Sequence, residues 1–167
     1  MILYHPYKDA NHCTYRLLSI LTNLKEPLNL EQLKVVDFYY LFPHFLKEIS
    51  PWPVNISKLK KLITEVDPPY ENTPNRKKLF FDLEQIQNEA VLQLASKGLL
   101  SIDLLKNGAV KLNKEKVPKK LAKQIQDDRF NESSILRVLI EGLCNITWSG
   151  ENGLKKRTGL MEYKYDE

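Results

Sequence analysis

Apolar positions along this chain recur mostly at helical spacing. From Asn11 to Leu24, Leu17, Leu18, Leu21 and Leu24 share one side, which predicts a helix that ends at Glu26-Pro27. Asn29 followed by Gln32 resembles a capping box opening a second helix. In that helix Val35, Val36, Phe38, Tyr39, Tyr40, Leu41 and Phe42 would surround the axis, so it must be covered on more than one side. Pro43 begins a short further helix. Ser57 caps a third segment, with Leu59, Leu62, Ile63 and Val66 inward, stopped by Asp67-Pro68-Pro69.

The stretch DPPYENTPNRKK has the turn chemistry of a loop. Beyond it, Asp82 with Gln85 predicts a helix start, with Leu83, Ile86, Ala90 and Leu94 inward. Gly98 stands where a left-handed C-terminal residue is wanted. Leu99 to Lys106, Asn107-Gly108 and Ala109 to Asn113 then read as strand, tight turn and return strand. Val117-Pro118 opens a basic helix through Gln126, and Asn131 opens a last one bearing Ile135, Leu136, Leu139, Ile140 and Leu143. The end of the chain alternates Met161, Tyr163 and Tyr165, as a strand would, or as a tail ordered only by a partner. The expected fold is mainly α with a small β-hairpin wing: a winged helix, and a tandem one if the first helices form a second unit. The expected organisation is an N-terminal helical unit over 1–66, a loop over 67–81, a winged-helix unit with C-terminal helices over 82–145, and a tail over 146–167.

Charge sharpens this picture more than composition does. The 167 residues carry a net charge of +4. Up to Lys97 the charges nearly cancel, at 12 basic and 11 acidic residues, whereas Lys106 to Lys123 holds seven lysines and one acid. These lysines, at 106, 111, 114, 116, 119, 120 and 123, are candidates for non-specific phosphate contact; equally, they can be a solvated face. They have no interleaved aromatics, so base stacking is not indicated. The helix before the hairpin offers Glu84, Gln87, Asn88, Glu89, Gln93 and Lys97 with Asp82 at its start. Such acids oppose reading of base edges.

Catalytic signals are missing. The sequence has no Gly-rich phosphate loop, nucleophile elbow or Glu/His metal motif. His5, His12 and Cys13 are close together, but a structural zinc site wants four ligands. Neither cysteine suggests a disulfide framework. The expectation is a non-enzyme without cofactor or metal. No apolar run has the length of a membrane span and no signal peptide is evident, which points to the cytoplasm. The run DFYYLFP offers anchors of the kind that dominate interfaces, so Asp37, Phe38, Tyr39, Tyr40 and Phe42, with Tyr163 and Tyr165 of the tail, are candidate partner-binding residues.

Three stretches, LYHPYKDANHCTYRLL, VVDFYYLFP and LASKGLLSIDLLKNG, together resemble the small middle component of ABC-three-component systems, which include Lamassu-type bacterial defence against phages and plasmids. The resemblance covers Tyr4 to about Gly108. It implies a winged-helix adaptor without chemistry of its own. Its partners would be a coiled-coil ABC ATPase similar to structural-maintenance-of-chromosomes proteins, which senses DNA, and an effector, often a nuclease. The alternatives are a free-standing winged-helix transcription regulator and a small enzyme using His5, His12 and Cys13.

Overall fold

The computed structural model describes residues 5–69 and 75–165, excluding the side chains of Pro6 and of 163–165. Helix α1 (Ala10–Thr22) is capped by Asp9, whose carboxylate accepts from the Asn11 and His12 amides. Strand β1 (Leu28–Asn29) leads straight into α2 (Leu30–Leu41), where Asn29 accepts from the Glu31 and Gln32 amides. The reciprocal half of the expected capping box is not made. The Gln32 amide instead donates to the Leu143 and Ile146 carbonyls, at 2.7 and 2.9 Å, tying α2 to the far end of the chain. Two 3-10 turns lead to α3 (Lys60–Thr64).

Helix α4 (Arg76–Ser96) starts six residues before Asp82, with Asn75 as its cap. The 67–81 stretch is therefore partly helical. Leu79 and Phe80 extend the inward stripe by about one turn, and that burial outweighs the local start signal at Asp82. Gly98 ends the helix with φ +72°, as expected.

The expected 99–106 strand is not formed, and with it goes the simple hairpin wing. Ile102–Lys106 is a helix, α5, capped by Ser101. Asn107 and Gly108 (φ +77°) end α5 instead of turning a hairpin. Strand β2 (Ala109–Val110) pairs with β1, in antiparallel register Leu28↔Val110 and Asn29↔Ala109. Its continuation meets the chain before α5 only at the Leu100↔Leu112 bridge, with bonds from the Asn113 amide to the Leu99 carbonyl and from the Ser101 amide to Lys111. Mainly helical with a small antiparallel sheet is the architecture.

Helix α6 (Lys119–Gln126) buries Ile125 and turns its lysines away from it. Asn131 lies in a 3-10 turn, and helix α7 (Ser134–Arg137), capped by Ser133, follows it and continues as a wider π turn. The last stretch is neither strand nor loose tail. Helix α8 (Leu154–Thr158) precedes a 3-10 segment, Leu160–Tyr165. Leu154, Thr158 and Leu160 are all buried. Arg76 donates to the Thr158 carbonyl, Lys77 meets Glu162 at 2.9 Å, and the Ser50 amide donates to Arg157. A contiguous set of buried apolar side chains draws on α1, α2, α4, α6, α7 and this C-terminal segment, crossing the 67–81 stretch.

Candidate functional site

The first charged constellation is internal. Arg16 on α1 and Asp37 on α2 are both fully buried and paired side-on, Nε to Oδ1 at 2.6 Å and Nη2 to Oδ2 at 3.0 Å. Gln87 of α4, also buried, donates from Nε2 to Asp37 Oδ2 and to the Lys34 carbonyl, each at 2.9 Å. Three helices thus converge on one carboxylate. His12 Nδ1 lies 2.6 Å from Arg16 Nη1 and accepts from it, since the guanidinium can only donate. Burial and the Arg16 charge both hold the His12 pKa below its ordinary value. Burial, then Asp37, pushes the Cys13 thiol up, and burial pushes Cys144 up to about 12. Both shifts favour the protonated thiol over the thiolate. Cys13 is buried, His12 is engaged with Arg16, and the His5 ring lies 5.2 Å from that of Tyr7. Among the described residues no group of three His, Cys, Asp or Glu could hold a metal.

The aromatic run divides. Phe38 is completely enclosed, with ring centroids of Tyr39, Phe42, Phe45 and Phe80 at 5.3 to 5.8 Å. Asp37, Phe38 and Tyr39 therefore belong to the interior and present nothing to a partner in this conformation, a correction to their reading as anchors. Phe45 and Phe80, from other segments, complete the enclosure that the run by itself could not predict. Tyr40 is half-buried, its ring 4.3 Å from that of Phe130, and burial followed by Asp128 pushes its hydroxyl up to about 12. Phe42 also keeps part of its surface. The side chains of Tyr163 and Tyr165 lie outside the described residues.

Helix α4 presents a different outward face from the one its sequence suggests. Gln87 points into the core, and Glu84 faces Lys34 at 3.7 Å. Leu92 is 66% exposed and Phe81 42%. Eleven residues apart, they share one side of the helix, and the acids Asp82 and Glu89 lie on the same exposed surface.

All seven candidate lysines are exposed. The structure brings Lys111, Lys114 and Lys116 together around an open groove of about 650 Å³, with Leu24, Leu112, Asn113 and Glu115. It adds Lys25, from the loop between α1 and β1, a residue sequence spacing had no means to associate with them. Lys119, Lys120 and Lys123 occupy the outer face of α6, and Lys106 ends α5. No helix among the described residues is long and apolar enough to cross a membrane.

Comparison with curated proteins and with solved structures gives no match. A family model does match, over residues 2–166, nearly the whole chain that carries the buried pair, the divided aromatic run and the lysine groove. The chain belongs to the family described as ABC-three component (ABC-3C) system Middle Component 5, and so works with other components of such a system.

Proposed function

We propose that this chain is the non-enzymatic adaptor of a bacterial, Lamassu-type defence complex in the cytoplasm. It bridges a coiled-coil ABC ATPase of the SMC kind and a nuclease-like effector, and helps hold that effector in check until foreign DNA is sensed. Membership of a middle-component family over residues 2–166 carries this reading. In it, α4 with the small sheet serves as a winged-helix unit turned to protein contact. The acids of α4 oppose a polyanion. Leu92 and Phe81, together with the exposed parts of Tyr40 and Phe42, supply apolar surface suited to a partner subunit.

The test is co-expression with the genomic neighbours and capture on a tagged chain. Recovery of a coiled-coil ATPase is expected, and Leu92→Asp with Phe81→Asp should abolish it while circular dichroism stays unchanged. Recovery of the chain alone, with preference for one operator over random duplex, would replace the adaptor by a transcription regulator.

A further inference from the structure

The lysine groove is the surface feature that neither folding nor the adaptor reading uses. Its four cations come from three places: Lys25 from the α1–β1 loop, Lys111 from the residues just after β2, and Lys114 and Lys116 from the 3-10 turn that follows. None of the four is in an ion pair among the described residues, whereas Lys34, Arg76, Lys77, Lys78 and Arg137 each have a carboxylate. The lone acid on the rim, Glu115, leaves the groove strongly positive. Lys116 reaches back over Gly98, its amine 3.7 Å from where a side chain on that glycine would begin.

We propose that this groove is a sequence-independent seat for the phosphate backbone of duplex DNA. Its chemistry favours phosphate over an acidic protein. Protein interfaces are depleted in lysine and built on arginine and aromatic anchors, and the groove has no arginine and no aromatic residue. Counterion release from phosphates needs only exposed point charges, which are what it offers. Without bidentate or amide groups directed at bases, the seat reads charge and not sequence. Asn113, the one side-chain amide on its wall, is engaged with the Gly98 carbonyl at 3.0 Å. The lysines of α6, which follows directly in the chain, lengthen the positive path.

This inference is independent of the adaptor reading, and its test needs only the purified full chain. A fluorescently labelled duplex of random sequence is titrated at several salt concentrations, and anisotropy gives the affinity and its salt slope. Lys111→Glu/Lys114→Glu/Lys116→Glu is compared with Lys58→Glu/Lys60→Glu/Lys61→Glu, three exposed lysines that do not line the groove, carrying the same change in net charge. The groove variant should bind at least about ten-fold more weakly, with a slope smaller by about 2 to 3, while the control keeps the wild-type slope. Adding Lys25→Glu should weaken binding again. Three results overturn the proposal: a wild-type chain that does not bind duplex, equal losses in both triple variants, or tighter binding of a polyglutamate peptide than of duplex at the same salt.

Discussion

Two regions of the molecule handle charge in opposite ways. Arg16 and Asp37 are fully buried, paired side-on and enclosed by Gln87, His12 and Cys13. The groove lysines are exposed and stand in no ion pair among the described residues. An interior charge must be matched within the chain, because desolvation of an unmatched one is prohibitive. Surface charges have no such requirement, and a cluster of one sign raises the local potential toward an outside partner. The first region fixes how α1, α2 and α4 meet. The second leaves its matching to something else.

The contrast breaks most visibly at Arg16. Arg16→Ala leaves Asp37 buried without its cation and should cost about 3–5 kcal/mol, read as a lowered urea midpoint. The double variant Arg16→Met/Asp37→Leu should recover most of that loss, since an apolar pair of similar volume has no charge to desolvate. A double variant as unstable as the single one would mean that the pair is needed for more than mutual neutralisation.

A smaller effect is expected from pH. Burial and Arg16 hold the folded-state pKa of His12 below the ordinary 6.5, so the unfolded chain binds more protons in the interval beneath that value. Stability should therefore fall as pH drops below 6.5 toward the folded pKa. His44, shifted the same way mainly by burial, contributes with the same sign. Thermal melts of His12→Gln should lose part of this acid slope and keep the part due to His44. An unaltered slope would separate His12 from the Arg16 contact. The smallest effect belongs to the groove. The triple lysine-to-glutamate variant should change stability by no more than about 0.5 kcal/mol, and a larger loss would assign those lysines to the fold.

Local signals made α1, α2 and α6 legible: apolar residues recur at helical spacing in α1, Asn29 caps α2, and Pro118 stands just before α6. Gly98 was legible for the same reason. Asn107-Gly108 was misread because the same dipeptide can turn a hairpin or end a helix, and the deciding partner, Leu28, is distant in sequence. The alternation of Met161, Tyr163 and Tyr165 suggested a strand, but the buried positions that place the segment are Leu154, Thr158 and Leu160. The buried pair was visible in principle and overlooked. Arg16 falls in the inward stripe of Cys13, Leu17 and Ile20, and Asp37 sits between Val36 and Phe38, so opposite charges stand on two apolar faces. Lys25, by contrast, could be joined to Lys111 only through the β1–β2 pairing.

That pairing links segments about 80 residues apart in sequence. Closing that loop has an entropic cost that must be offset by the contacts it makes. The groove thus depends on both ends of the pairing: an N-terminally clipped chain keeps Lys111, Lys114 and Lys116 but not the strand that β2 pairs with. A fragment starting at Asp82 lacks both β1 and Lys25, so only a finished subunit offers the complete seat.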